Sequence, residues 1–426
     1  MQQARWGLLI GVAIALGGCG TMQPSNTQSA AAPKPTITLR FSGWQSNPNE
    51  GKLLQQVIQQ FEAEHPHIEV QYEAINSEYM DVIRTRLIGD VAPDVFYLDA
   101  FEAPQLIKYG VLEPLDQYIP ATFDLADFEP TLLSAFQHNG NLYGLPKDFS
   151  TLALFYNKQA FARAGITQPP HTWEALRQFS QRLTIDTNGD RTPDQFGLGI
   201  APELARQTFM IRAFGGQLQD QQGKAMFASP ASLQGLNLVV EQYRRDRTAA
   251  QPTDVGTSSG SEMLGQGKAA MVIEGPWAIP YLRETFPALP FGTAAVPTVN
   301  GKQSTMTYTV AYVMNRQTQH KQAAWSLIAY LTSKRGMKTW AQQGLVLPSR
   351  RSLLADLGYQ THPLYAPFVR GAAYGTTWQA ADTLPILRTH FNNQFISALL
   401  GEQSLTQAMQ RAQDAANREI YWSRSE

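Results

Sequence analysis

The chain has a single cysteine, Cys19, among 426 residues, so no internal disulfide can hold its fold. Charge is scarce and balanced: 16% of residues are charged and the net charge is -1. No basic patch points to nucleic acid. The seven histidines form no H-E-x-x-H and no metal-ligand pair at helical spacing. Only one apolar run stands out, Leu8 to Leu16, well short of the roughly 20 residues a membrane-crossing helix needs. Gly256-Thr-Ser258-Ser-Gly260 formally fits the G-x-S-x-G elbow of serine hydrolases. That elbow must follow a buried strand, and the preceding TAAQPTDV is polar and proline-bearing, so Ser259 or Ser261 reads as a helix cap.

What is present begins at the N-terminus. Arg5 precedes the apolar run, and Leu16-Gly17-Gly18 before Cys19 resembles a lipobox, the signal for acylation of the following cysteine. Residues 1–18 then read as a lipoprotein signal peptide, Cys19 as the lipidated residue, and residues 19–36 as a small, polar, proline-bearing tether. The expected location is extracytoplasmic, anchored to a bacterial membrane by acyl chains. An ordinary secretory signal that happens to contain a cysteine is the alternative.

The remaining chain of about 390 residues is long enough for two domains. Ile37 to Phe41 alternates as a strand, and Leu53, Leu54, Val57, Ile58 and Phe61 share one helical face. Ile68 to Tyr72 follows as a strand, Tyr79 to Ile88 as a helix, and Asp94 to Leu98 as a buried parallel strand. Such alternation predicts an open α/β sheet, with ligands beyond the carboxyl ends of its strands. A second α/β region starts near Gly144 and contains a helix capped by Thr172, helices around 202–214 and 231–246, and the strand Ala269 to Ile273. The strand Thr309 to Met314, the helix Ala323 to Leu331 and helical segments over 384–418 complete the pattern.

Nine segments stand in a family order: FEAEHPHIEV, PDVFYLD, YGVLEPLDQYI, YGLPKDFSTLALFYNK, TWEALRQF, FGLGI, GQGKAAMVIEGPW, VAYVMN with AAWSLIAYLTS, and SLTQAMQRAQ. Together they resemble the extracellular solute-binding proteins of sugar ABC importers, the group of the maltose and trehalose/maltose binding proteins. The resemblance implies a two-lobed α/β fold, type II periplasmic-binding-protein-like, with a hinge crossed several times. Lobe one would hold 37–147 and 309–346, and lobe two 152–305 and 350–426, with crossings near Lys147–Thr151, Met306–Tyr308 and Leu347–Arg350. It also implies a monomer that closes on a sugar and hands it to permease subunits.

A sugar offers apolar faces and a rim of hydroxyls, so its site needs flat aromatic rings beside carboxylates, amides and arginine. Trp277, in EGPW after an apolar strand, is placed by the resemblance as the stacking ring; a core tryptophan is the alternative. Trp44 and Glu50 lie in the loop SGWQSNPNE, where the family uses an acid on a hydroxyl. Glu50 could equally serve a helix dipole. Asp99 matches the family's hydroxyl-binding aspartate or caps a helix from Phe101. Asp148 and Ser150 fall in the first hinge strand, where the family's acid has moved position. Tyr308 stands next to a family tryptophan position, and Arg350 and Trp378 are further candidates. Arg350 could also be a solvated surface residue.

Asp186, Asn188, Asp190, Thr192, Asp194 and Gln195 place oxygen side chains at near-alternate positions around a glycine turn. Alginate-binding relatives carry a similar loop, with an acid where this chain has Gln195. A structural calcium ion and a metal-free Asx turn are both open; no other cofactor is expected. The expected function is a sugar receptor without catalysis, taking a disaccharide or related glycoside. The alternatives are a surface-anchored carbohydrate-active enzyme and a receptor for glycerol 3-phosphate, which would need a basic cleft.

Overall fold

The computed structural model describes residues 36–45, 48–342, 344, 346–380 and 382–424. The signal segment, Cys19 and the tether up to Pro35 lie outside the described residues.

Two sheets organise the described chain. In the first, Gly375–Thr377, Thr305–Met314, Val95–Asp99, Ile37–Gly43 and Ile68–Ala74 lie side by side in that order, and Gly144–Thr151 pairs with Thr305–Met314. The three strands nearest the N-terminus are parallel, whereas Thr305–Met314 runs antiparallel to Val95–Asp99 and to Gly144–Thr151. The second sheet has the order Phe291–Ala294, Ala153–Asn157, Ala269–Glu274, Phe196–Gly199, Ala249–Ala250. The chain passes from the first sheet to the second across Leu152 and returns at Thr305, so two adjoining strand pairs join the sheets.

Local sequence explains most elements. The strand Val95–Asp99 is buried from Val95 to Leu98, as its continuous apolar run requires. Thr172 caps the helix Trp173–Leu183, its hydroxyl accepting from the Ala175 amide at 3.2 Å. The helix Tyr79–Ile88 matches the expected bounds. One expectation changes: Gly375–Thr377 pairs with Thr305–Thr307 at the edge of the first sheet, so the segment 350–426 does not lie wholly with the second.

The register between Gly144–Thr151 and Thr305–Met314 slips by one residue. Val310 faces Asp148 while Ala311 faces Pro146, which leaves Lys147 as an extra residue in a bulge. Strict alternation would send Lys147 and Asp148 to opposite faces of the sheet. The bulge breaks that alternation, and the two side chains pair with each other in the interior.

Candidate ligand-binding cleft

A cavity of about 1000 Å³ lies where residues from both sheets and their connections meet. From the first sheet and its loops it is lined by Trp44, Glu50, Lys147, Asp148, Ser150 and Tyr308, and from the second by Glu203, Arg206, Glu274, Trp277 and Tyr281, among others. Of the nine candidate ligand residues, Trp44, Glu50, Asp148, Ser150, Trp277 and Tyr308 thus share one cavity.

Trp277 follows the strand Ala269–Glu274 and precedes the helix Ala278–Thr285. Its indole Nε1 donates to Glu274 Oε2 at 3.2 Å, and its ring meets Tyr308 edge-on at 6.3 Å. Gly275 makes room for it: a Cβ there would stand 2.1 Å from the Trp277 ring. Over the ring, Arg206 Nη2 donates to Glu274 Oε2 at 3.0 Å and Nη1 to the Ile273 carbonyl at 2.9 Å, with the guanidinium 5.6 Å from the ring centre. This holds the indole in one orientation, half-buried at the cavity wall.

On the opposite wall, Trp44 packs edge-on against Tyr79 at 4.9 Å and Tyr97 at 5.2 Å. Glu50 is buried in the first turn of the helix Pro48–Glu64, so its carboxylate sits where the helix dipole favours negative charge and also lines the cavity. Lys147 pairs with Asp148 and lies over the rings of Trp340 and Tyr97, 4.1 and 4.9 Å from their centres. Burial pushes the Tyr308 phenol up to about 12, so it stays protonated and can donate.

Three candidates lie elsewhere. Arg350 is buried under Phe123 and Phe128, with Nε donating to the Thr332 carbonyl at 2.6 Å and Nη1 to the Asp124 carbonyl at 3.0 Å and to Asp127 at 3.3 Å. It ties surface loops together and does not line the cavity. Trp378 is core: its amide donates to the Thr307 carbonyl at 2.7 Å, and the edge-strand pairing just before it turns the ring inward with Leu384, Leu387 and Phe391. Asp99 does not line the cavity either. Its Oδ1 accepts from the Phe101 amide at 3.3 Å, capping the turn ahead of the helix Ala103–Lys108. Burial, reinforced by the nearby Glu102 and Asp148 carboxylates, pushes the Asp99 carboxyl up to about 7, although the Phe101 amide and Arg388 oppose the shift.

Glu203, Arg206, Glu274 and Lys147 carry much of the cavity's charge and were not among the candidates. Glu274 lies within the quoted EGPW, while Glu203 and Arg206 sit three apart at the start of the helix Leu204–Ala213, a spacing that is ordinary on any helix surface.

The glycine-turn loop satisfies its own oxygens. Asp186 Oδ1 accepts from the amides of Asn188 and Gly189 at 3.2 and 2.7 Å, and Oδ2 from Arg191 at 2.8 Å. Asp190 accepts from the Thr192 amide at 2.7 Å, and Asp194 from the Thr187 amide at 2.8 Å. Gln195 turns inward and donates to the Leu183 carbonyl at 2.7 Å. No group of three His, Cys, Asp or Glu able to hold a metal gathers among the described residues. As placed, the carboxylates of Asp186, Asp190 and Asp194 and the amide of Asn188 form an Asx-turn loop. The hydrolase-like serines likewise have a structural use: Ser259 caps the helix Gly260–Gly265 by accepting from Glu262 at 3.2 Å, and no histidine is among the described residues lining the cavity.

Comparison with known proteins places this geometry. The family model for bacterial extracellular solute-binding proteins matches residues 45–338. A binding protein of Brucella abortus is 26% identical over 307 residues, covering 70% of this chain and 72% of the relative. The mannitol-binding protein of Pseudomonas aeruginosa is 24% identical over 408 residues, covering 88% and 91%. An ABC substrate-binding protein of Listeria monocytogenes in complex with cycloalternan superimposes with a TM-score of 0.81 at 20% identity, covering 90% of this chain and 99% of that one. The fold is the two-lobed α/β fold of type II periplasmic binding proteins. This chain belongs to the family of bacterial extracellular solute-binding proteins.

Proposed function

We propose that the cleft captures a neutral sugar and that the protein delivers it to the permease of an ABC importer, working outside the cytoplasm as its family does. The observation that carries the reading is the pairing of aromatic rings with carboxylates whose cationic neighbours are already committed. Trp277, Trp44 and Tyr308 supply apolar faces; Glu50, Asp148 and Glu274 supply acceptors for hydroxyls. Lys147 is engaged by Asp148, and Arg206 by Glu274. Among the described residues, five carboxylates against three cations line the cavity, so a phosphate or a sugar acid would meet excess negative charge. This disfavours a glycerol 3-phosphate receptor. Mannitol and cycloalternan, the ligands named for two relatives, are uncharged polyhydroxyl compounds and agree with the reading.

A thermal-shift panel tests it. At 100 times its dissociation constant a ligand stabilises by about 2.7 kcal/mol, so a neutral saccharide or polyol should raise the melting temperature while glycerol 3-phosphate should not. A response to glycerol 3-phosphate alone would overturn the reading.

We further infer that Cys19 is acylated and holds a monomeric receptor at the membrane surface. The support is the lipobox-like Leu16-Gly17-Gly18, together with the fact that no helix among the described residues is long and apolar enough to cross a membrane. Mass spectrometry of the mature N-terminal peptide should find an acylated Cys19; an unmodified thiol would contradict the anchor.

A further inference from the structure

Trp277, Pro280, Tyr281 and Glu284 all line the cavity. Their spacing of three, four and seven residues from Trp277 places them on one stripe of a helix. Trp277 has helical backbone angles itself, φ -55° and ψ -25°, and so stays in register with the helix Ala278–Thr285 that follows it. The wall of the cavity is therefore a single helical edge, with an aromatic ring at each of two successive turns. From Trp277 to Tyr281 the step along the axis is about 6 Å, the length scale of one pyranose ring.

The two rings differ in surroundings. Trp277 is half-buried and fixed by Glu274 and Arg206, whereas Tyr281 is 36% exposed and supported edge-on by Phe286 at 5.9 Å. Beside Tyr281, Glu262 accepts from both the amide and the hydroxyl of Ser258 at 2.7 Å, and Ser258 also lines the cavity. An exposed ring with a polar edge beside it reproduces the pattern of the inner site one helical turn further out. The volume agrees: about 1000 Å³ stands at the top of the roughly 300–1000 Å³ range of small-molecule sites, more than one ring stacked on Trp277 would fill.

We propose that Tyr281, with Pro280 and Glu284, forms an outer subsite for the sugar ring next to the one on Trp277, so that the ligand is a neutral saccharide of at least two rings. This rests on the sugar reading of the same cleft. Trp277 anchors one ring, and the chain continues along the helical edge toward Glu284.

Calorimetry tests it with glucose, mannose and galactose and with the malto-, manno- and galacto-oligosaccharides of two and three rings, on the wild type and on Tyr281→Ala, Tyr281→Phe and Glu284→Ala, with circular dichroism as a fold control. In the series that binds, the wild type should take the disaccharide about tenfold more tightly than the monosaccharide. Tyr281→Ala should bring that ratio to within about threefold, while Tyr281→Phe, which keeps the ring, should preserve it. Glu284→Ala should lower the ratio in the same direction, and it supplies an independent reading if Tyr281→Ala folds poorly. Equal wild-type affinity for one and two rings, or a ratio unchanged by Tyr281→Ala, would overturn the outer subsite and leave the sugar reading standing. Binding of none of the three series would overturn the outer subsite, and a thermal response to none of the neutral saccharides and polyols would contradict the sugar reading itself.

Discussion

Replacing Trp277 with alanine should weaken binding of the best neutral sugar by about 30-fold or more, the consequence of losing about 2 kcal/mol from a buried aromatic anchor. The loss has two parts. The ring's apolar face disappears from the ligand, and Glu274 loses the indole donor that helps fix it beside Arg206. Folding should survive, because Trp277 is half-buried at the cavity wall and the neighbouring Ala278, Ile279 and Leu282 keep the helix packed. Circular dichroism and calorimetry on the same sample separate the two effects. A well-folded Trp277→Ala that binds like the wild type would place the ligand elsewhere.

Asp99→Asn should instead change stability and leave sugar affinity close to that of the wild type. In the folded protein the Asp99 carboxyl holds its proton up to about pH 7, whereas in the unfolded chain it ionises near pH 4. Between those values the folded state binds the extra proton, so this group makes stability fall as pH rises from about 4 to about 7. Below that window both states are protonated and the group contributes nothing. Above it the full cost of burying the charge is present. An asparagine keeps an oxygen for the Phe101 amide but carries no charge, so the variant should gain on the wild type through this window, by a few kcal/mol at pH 8. Urea unfolding at pH 4, 6 and 8 reads this directly. A stability difference that does not change with pH would contradict the buried, proton-holding carboxyl, and a large drop in affinity would return Asp99 to the cleft.

These two residues also mark how far the sequence is legible. Trp277 could be read because local order carries the information: an apolar strand, a glycine that clears space for the ring, and a helix directly behind. The three parallel strands of the first sheet were legible for the same reason, since alternation and continuous apolar runs report burial one residue at a time. Asp99 stands equally at a strand end, yet its neighbour is the Phe101 amide and not the cavity, and nothing in local spacing distinguishes the two. Arg350 and Trp378 fail through long-range contacts. The first is captured by Asp124 and Asp127, more than 200 positions away, and the second by an edge strand too short to leave a period.

The charges of the cleft were the least legible part. Lys147 reads as a residue on the far side of a strand from Asp148 until the bulge opposite Val310 and Ala311 brings the two together. Arg206 reads as an ordinary helix cation until tertiary packing sets it against Glu274 and over Trp277. Both are consequences of register and packing, which depend on residues far apart in the chain. They matter for function because they engage Lys147 and Arg206, two of the three cations among the described residues lining the cleft, and so disfavour anionic ligands.

The most direct measurement of the account is a crystal structure of the protein with the tightest-binding saccharide from the panel. It should show a sugar ring against the indole of Trp277, with hydroxyls within hydrogen-bonding distance of carboxylates from both walls, Glu50 or Asp148 on one side and Glu274 on the other. A saccharide bound away from Trp277, or an anion seated on Lys147 or Arg206 with their carboxylate partners displaced, would contradict it.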